Sequence, residues 1–205
     1  TLSGIPSVEK MTPEMIDALA PMDATAIANG YLDAVSYLLG DKPLFIEKLP
    51  YNFLYIGFIV KAFPNAKIVR LKRNPMDSCF AIYKQPFTWA YKFSYNLDDL
   101  ARYYLAHDNL FSYWRNLLGD QLIEVEYETL VNDSENQTRI LLERLGLDFE
   151  DACLNFEQNE TATTTASSVQ VREKIHSRSV LRWKRYEEQL KPLRTHLEAA
   201  GISVE

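Results

Sequence analysis

Cysteine is scarce in this sequence, with Cys79 and Cys153 alone among 205 residues. Two cysteines do not make a disulfide framework, and no cysteine and histidine spacing typical of a zinc site occurs. No apolar run reaches the roughly 20 residues that a membrane-spanning helix needs, and there is no signal peptide. These absences argue against a disulfide-rich secreted domain, and we expect a cytoplasmic protein with no bound metal and no membrane partner.

Positive charge is in the minority, because 22 lysines and arginines face 28 acidic residues and the net charge is −6. A nucleic-acid partner is therefore not expected. Two segments are nevertheless basic. The first holds Lys61, Lys67, Arg70, Lys72, Arg73 and Lys84, and the second holds Arg172, Lys174, Arg178, Arg182, Lys184 and Arg185. Two basic clusters in an acidic chain suit a small anionic ligand, although any one of these residues could belong to a solvated face.

The length and composition suit a single globular domain over residues 1–205, with 47% hydrophobic residues to build a core. The chain opens at Thr1 and not at a methionine. We expect it to be part of a longer protein.

The most informative stretch is 67–85. Ile68, Val69 and Leu71 form a short apolar run that is typical of a strand buried in a parallel sheet. Proline is tolerated in the first turn of a helix, so Pro75 predicts a helix over 75–84. Arg73 then lies at the carboxyl end of the strand, where open α/β sheets bind ligands. An arginine beside a helix amino terminus makes a site for an oxyanion such as phosphate.

Capping residues and periodicity predict the other elements. Thr12-Pro13 begins one helix, and Asp23 caps a second that Gly40 ends. Further helices are predicted over 53–63, 96–118, 134–145, 178–190 and 193–200, strands over 44–46 and 121–125, and an aromatic-rich loop along an active-site rim over 87–96. Strands that alternate with helices predict an α/β fold with a parallel sheet.

The motif Arg-Asn-Pro-x-Asp after a buried strand resembles the 3'-phosphate-binding segment of sulfotransferases. The preceding segment, IEKLPYNFLYIGFIVKAFPNAKIV, is similar to the bacterial sulfotransferases that often carry tetratricopeptide repeats, and more distantly to tyrosylprotein sulfotransferases. The resemblance implies a P-loop nucleotide-binding-like parallel sheet flanked by helices. It also implies sulfuryl transfer from the co-substrate 3'-phosphoadenylyl sulfate to a hydroxyl or amine on a small molecule, peptide or glycan.

Roles follow from the same resemblance. Arg73 would hold the 3'-phosphate of the donor, and Lys48 would be the catalytic lysine that contacts the transferring group. Family members usually have a serine eight residues after the arginine, where this chain has Ala81. Ser78 or Gln85 could replace that hydroxyl. On the residues alone, Lys48 could instead be a surface lysine paired with Glu47, and Arg73 could be a structural residue at a helix terminus.

The nucleotide would have further contacts. Tyr127, in a Tyr-Glu-x-Leu-Val segment, matches a tyrosine near the nucleotide in the family, although an ordinary core tyrosine fits as well. The segment 164–183 is similar to a loop that closes over the adenosine and the 3'-phosphate. Its candidate nucleotide-binding residues are Ser167, Ser168, Gln170, Val171, Arg172 and Arg182. His176 and Lys174 depart from the tyrosine and proline often found in relatives.

Part of the family pattern is missing. The loop that holds the 5'-phosphosulfate, and the strand before it, are absent from this chain, which therefore maps onto the carboxyl-terminal two-thirds or so of the domain. No general base can be named. A non-catalytic nucleotide-binding or scaffold protein on the same fold remains an alternative. A P-loop nucleoside triphosphatase fits less well, because the chain has no Gly-Lys-Ser/Thr loop.

Overall fold

The computed structural model describes residues 12–40, 43–87, 91–158 and 173–205. The chain divides into two compact units, Thr1–Ala66 and Lys67–Glu205. The described part of the first unit is helical, and the second contains a parallel sheet. None of the helices in the described ranges is long and apolar enough to cross a bilayer.

Side-chain caps define the first two helices. Helix α1, Pro13–Leu19, starts after Thr12, whose hydroxyl accepts a backbone hydrogen bond at 3.3 Å. Helix α2, Ala24–Leu39, starts after Asp23, whose carboxylate accepts a backbone hydrogen bond at 2.9 Å. It ends at Gly40, where φ is 56° and a side chain would be strained. These starts and this stop confirm the predictions from sequence.

The third predicted helix is shorter than expected. A 3-10 turn, Asn52–Leu54, precedes helix α3, Ile56–Ala62, and Tyr55 lies between them at φ −106° and ψ 3°. The predicted helix over 53–63 is therefore confirmed over its second half and interrupted at Tyr55.

The predicted strand over 44–46 is wrong, because these residues adopt no regular secondary structure. Their apolar side chains are exposed, and Ile46 reaches 96%. A strand exists only where a neighbouring strand satisfies its backbone N–H and C=O groups. Apolar composition alone does not supply that neighbour.

The sheet in the described residues consists of strand β1, Ile68–Lys72, and strand β2, Leu122–Glu126. The strands are parallel, with Ile68 opposite Leu122 and Lys72 opposite Glu126. Parallel strands need a long crossover, and here two helices supply it. This arrangement confirms the predicted α/β class with a parallel sheet, and both strands lie within a residue or so of their predicted positions.

An asparagine caps each of the two crossover helices. Asn74 precedes helix α4, Pro75–Tyr83, and its Oδ1 accepts two backbone N–H groups at 3.0 and 3.1 Å. Asn96 precedes helix α5, Leu97–Leu118, and its Oδ1 accepts two N–H groups at 2.8 and 3.1 Å. Each cap satisfies donors that the first helical turn leaves free. Both helix starts confirm the predictions.

In the residues that the structure describes after β2, the α-helices are α6, Tyr127–Asn132, α7, Ser134–Leu145, and α8, Lys191–Ala199. Helix α7 ends at Gly146 with φ 72°, as its sequence predicts. In the aromatic-rich stretch, residues 88–90 lie outside the described ranges, and Lys92–Tyr95 forms a 3-10 helix.

The predicted helix over 178–190 is wrong. The segment is a series of turns around a short 3-10 helix, Arg182–Tyr186. Leu181 has a left-handed backbone, with φ 52°, which a continuous α-helix does not allow. Its N–H and that of Trp183 bond to the buried carboxylate of Asp77. A distant side chain therefore decides the backbone here.

Among the described residues of the second unit, ten buried apolar side chains form one hydrophobic cluster. They are Met76, Cys79, Phe80, Leu100, Ala101, Trp183, Leu190, Leu193, Leu197 and Val204. Full burial of a large apolar side chain stabilises a fold by about 1.5–3 kcal/mol. Three core residues come from α4, so this helix and the Arg73 that precedes it rest on a packed support. Burial also raises the pKa of Cys79 to about 12, which keeps the thiol protonated.

Candidate anion-binding site

Asn74 fixes the backbone between β1 and α4 through hydrogen bonds to three parts of the chain. Besides capping α4, Asn74 donates its backbone N–H to Oε1 of Glu128 at 2.9 Å. Its Nδ2 donates to the carbonyl oxygen of Val204 at 2.9 Å. These bonds join the end of β1 to α6 and to the last residues of the chain. Arg73, one residue earlier, therefore starts from a well-defined backbone position.

The guanidinium of Arg73 is held by two contacts. It lies over the ring of Tyr127, with Cζ 4.9 Å from the ring centroid, and Nη2 donates to the carbonyl oxygen of Ser179 at 2.6 Å. Cation–π contact and a charge-assisted hydrogen bond each favour one orientation. The Nε atom is buried and has no hydrogen-bond partner among the described residues. A half-buried guanidinium with an unused donor is suited to an anion.

Asp77 connects α4 to the segment around Arg182. The residue is 1% exposed, and its two oxygens accept the N–H of Leu181 at 2.5 Å and of Trp183 at 2.9 Å. A buried carboxylate is tolerated because both oxygens are hydrogen-bonded and because it lies in the first turn of a helix. Since Arg182 stands between these two anchored residues, its backbone is placed beside α4.

Lys84 is the third cation of this region. It caps the carboxyl end of α4, and its ammonium lies 5.4 Å from the centroid of the Phe80 ring. Burial, followed by the positive charges of Arg182 and Arg73, lowers the pKa of Lys84. The charges of Arg182 and Arg73 thus both act on Lys84.

Two other members of the first predicted basic cluster, Arg70 and Lys72, are neutralised by carboxylates. Arg70, 6% exposed, donates to Asp108 at 3.0 Å and to Glu124 at 2.8 Å. Lys72 pairs with Glu126 at 3.0 Å. Within the described ranges Arg73, Lys84 and Arg182 form no such ion pair with a carboxylate. The cluster therefore separates into structural cations and cations that are available to a ligand.

The catalytic role of Lys48 stays a prediction. Lys48 belongs to the first unit, is exposed, and lies outside regular secondary structure. Within the described residues it forms no ion pair with Glu47, whose carboxylate instead accepts a hydrogen bond from Nδ2 of Asn52 at 2.5 Å.

The nucleotide-binding loop is described only from residue 173 onward. Five predicted nucleotide-binding residues lie outside the described ranges, and their roles stay predictions: Ser167, Ser168, Gln170, Val171 and Arg172. In the described part, Glu173 forms an ion pair with Arg178 and lies 3.5 Å from Nε2 of His176.

Sequence reasoning gave no role to two residues that shape this site, Asp77 and Glu128. Asp77 was visible as the last residue of the Arg-Asn-Pro-x-Asp motif, but its partners are 104 and 106 positions away. Glu128 follows Tyr127 in the quoted Tyr-Glu-x-Leu-Val segment, and its bond to Asn74 spans 54 positions. A local pattern contains no information about partners at such distances.

The second unit is thus an α/β domain in which Arg73 follows a parallel strand, and in the described residues Arg73, Lys84 and Arg182 form no ion pair with a carboxylate. The model of the Sulfotransferase family matches residues 2–151, and the chain belongs to this family. The chain is also 34% identical, over 192 residues, to an uncharacterized protein of Aquifex aeolicus (strain VF5). That match covers 91% of this chain and 25% of the relative, so the chain spans about a quarter of the length of the curated relative it matches.

Proposed function

We propose that the protein transfers a sulfuryl group from 3'-phosphoadenylyl sulfate to a hydroxyl or amine acceptor. The observation that carries this proposal is the guanidinium of Arg73, held between the Tyr127 ring and the Ser179 carbonyl with a buried donor unused. In a chain that belongs to the sulfotransferase family, such an arginine after β1 is suited to the 3'-phosphate of the donor.

The proposed step is an in-line displacement at sulfur, analogous to phosphoryl transfer. The acceptor oxygen or nitrogen forms a bond to sulfur, and the bond from sulfur to the bridging phosphate oxygen breaks. The electron pair stays on the phosphate, and the acceptor proton passes to a base. The products are the sulfated acceptor and adenosine 3',5'-bisphosphate.

In this proposal the residues divide into binding and transition-state groups. Arg73 binds the 3'-phosphate by parallel N–H bonds, Tyr127 lies beside the nucleotide, and Arg182 adds positive charge. Lys48 stabilises the negative charge that develops on the leaving oxygen. Hydroxyl and backbone groups of the loop close over the nucleotide; the residues proposed for this are Ser167, Ser168, Gln170, Val171 and Arg172.

A second candidate function is nucleotide binding without catalysis. Ala81 favours it, because it replaces a hydroxyl that relatives direct at the same phosphate, and one hydrogen bond to a charged group is worth about 1.5–3 kcal/mol. Both candidates require a bound nucleotide, so binding alone does not separate them. Only the first produces adenosine 3',5'-bisphosphate from the donor when an acceptor is present.

Calorimetry of the full-length protein with adenosine 3',5'-bisphosphate tests the site. We expect Arg73→Ala to weaken binding at least about a hundredfold, because two charge-assisted hydrogen bonds are lost. Arg73→Lys should be intermediate, since an ammonium cannot form the planar fork. Unchanged affinity in Arg73→Ala would remove the main support for the proposal.

Arg139→Ala is a matched control. Arg139 also lies over an aromatic ring, 3.6 Å from the centroid of Phe149, and it also has a polar partner, Glu135 at 2.8 Å. It belongs to α7 and not to the site, so its loss should leave nucleotide affinity unchanged. An equal decrease in both variants would mean that the binding measured is not specific to Arg73.

Activity is tested by the release of adenosine 3',5'-bisphosphate from 3'-phosphoadenylyl sulfate. The acceptor panel should contain a simple phenol, a tyrosine-containing peptide and an amino sugar. Release with one of these acceptors, lost in Lys48→Met, supports the transferase. Tight nucleotide binding with no release for any acceptor supports the non-catalytic alternative.

A further inference from the structure

We propose that Lys84 is a further ligand of the anion bound by Arg73, and that it strengthens the binding of nucleotides that carry a 3'-phosphate. This inference rests on the proposed function, because it concerns the same phosphate. It adds a residue that provides its charge from the far end of α4.

The geometry of α4 places Lys84 on the face that carries Asp77. Asp77, Ala81 and Lys84 are spaced by four and then three residues, and such positions share one side of a helix. Asp77 is bonded to the N–H groups of Leu181 and Trp183, so this side faces the segment that contains Arg182.

The direction of helical side chains brings Lys84 towards the amino end of α4. The Cα–Cβ bonds of a helix tilt towards its amino terminus, and long side chains extend back over the preceding turn. The Arg73 guanidinium bonds to the Ser179 carbonyl, three residues before Arg182, and its charge acts on Lys84. Ala81 contributes a single methyl group on the same face.

Aromatic contacts hold Lys84 next to the 3-10 helix that begins with Arg182. The ammonium lies 5.4 Å from the Phe80 centroid, and the Phe80 and Tyr186 rings are 4.8 Å apart. Tyr186 is the last residue of that 3-10 helix. Lys84 therefore contacts Phe80, which packs against the same 3-10 helix that Arg182 begins.

Electrostatics supports the same conclusion. Lys84 forms no ion pair with a carboxylate in the part of the chain that the structure describes, and the charges of Arg182 and Arg73 both oppose its protonation. The Asp77 carboxylate offsets part of this repulsion but is hydrogen-bonded to Leu181 and Trp183, and an anion bound among the cations removes the rest.

A purely structural role for Lys84 makes a different prediction. A cation at the carboxyl end of a helix stabilises the helix through its dipole. In that case removal of the charge would lower the thermal stability and leave ligand affinity unchanged. Affinity and unfolding temperature must therefore be measured on the same samples.

The test compares two probes, adenosine 3',5'-bisphosphate and adenosine 5'-monophosphate, which differ by the 3'-phosphate. We expect Lys84→Gln in the full-length protein to weaken bisphosphate binding about ten- to hundredfold and to leave monophosphate binding unchanged. Lys84→Arg keeps the charge and should restore most of the affinity. Lys191→Gln removes an exposed ammonium at the start of α8 and should change neither affinity.

The outcomes separate this inference from the function on which it rests. If wild-type protein binds the bisphosphate and Lys84→Gln binds it within twofold as tightly, the inference is overturned and the proposed site stands. If the wild-type protein does not bind the bisphosphate at all, both are overturned. An equal loss for both probes, or a loss matched by Lys191→Gln, also overturns the assignment, because it is then not specific to the 3'-phosphate.

Discussion

Oδ1 of Asp77 lies 2.9 Å from the backbone nitrogen of Trp183, which joins two residues 106 positions apart. Through this bond and its companion to Leu181, one buried carboxylate sets the backbone on both sides of Arg182. The fold of a late segment of the chain thus depends on a side chain in the first turn of α4.

Asp77→Asn should be costly although the change is nearly isosteric. The amide keeps one acceptor oxygen, and its NH2 group faces a backbone N–H, so one buried donor is left without a partner. A buried unsatisfied donor costs about 1–3 kcal/mol, and we expect a loss of that size in the free energy of unfolding measured in urea. Affinity for adenosine 3',5'-bisphosphate should decrease too, because Arg182 loses its fixed backbone. Asp148→Asn, at an exposed position, should change neither quantity. If Asp77→Asn also left both the unfolding free energy and the affinity unchanged, the role that we assign to the Asp77 carboxylate would be contradicted.

Asn74→Ala and Asn96→Ala form a matched pair, because each asparagine caps a helix through two backbone N–H groups. Loss of such a cap typically costs about 0.5–2 kcal/mol, so both should lower the thermal stability. Asn74 alone also bonds to Val204 from the position next to Arg73. Only Asn74→Ala should weaken bisphosphate binding. Equal affinities for the two variants would mean that Asn74 does not position Arg73.

Arg70→Met tests the buried ion-pair network. Loss of the arginine removes its buried guanidinium from Asp108 and Glu124, although Glu124 keeps Arg115 at 2.7 Å. Both carboxylates are partly exposed, so we expect a loss of about 1–3 kcal/mol. Urea denaturation at neutral pH measures the change. Arg194→Met is the control, since Arg194 also contacts several carboxylates but at the surface. Its effect should be much smaller. Similar losses for the two variants would refute the difference that we assign to burial.

His107 should make stability depend on pH. Burial, followed by the charge of Arg70, lowers the pKa of His107 from 6.5 to about 4. Between these values the unfolded chain binds a proton that the folded protein does not, so acidification through this window destabilises the fold. The slope is at most about 1.4 kcal/mol per pH unit. We expect the change in unfolding free energy between pH 7 and pH 5 to shrink in His107→Leu.

His196→Gln is the control for this pH dependence. His196 is exposed on α8, with Nδ1 3.3 Å from Asp98, so its removal should leave the slope caused by His107 in place. If the pH dependence of the unfolding free energy persisted in His107→Leu and disappeared in His196→Gln, His196 and not His107 would be its cause.

Sequence-based prediction succeeded where the determinant is local. The caps Asn74 and Asn96, Pro75 at a first helical turn, and Gly146 at a helix end all lie within a few residues of the boundary they define. The parallel order of β1 and β2 followed from the alternation of strands and helices. The resemblance to sulfotransferases, based on contiguous motifs, was confirmed as family membership.

Prediction failed where the determinant is distant. The segment around Arg182 has helical composition, but the Asp77 carboxylate binds N–H groups of Leu181 and Trp183 and fixes a left-handed turn. Residues 44–46 have strand composition but no strand conformation. Among the site residues, Arg73 and Tyr127 are in contact, and the charges of Arg73 and Arg182 both act on Lys84. The catalytic role of Lys48 stays a prediction.

The double restraint on Arg73 has a consequence for the entropy of binding. A free arginine side chain loses considerable rotamer freedom when a ligand immobilises it, and such ordering costs about 0.5–1.5 kcal/mol per side chain. The Tyr127 ring and the Ser179 carbonyl already confine this guanidinium before any phosphate arrives. Most of that loss is therefore incurred during folding, and the incoming anion meets a preorganised donor.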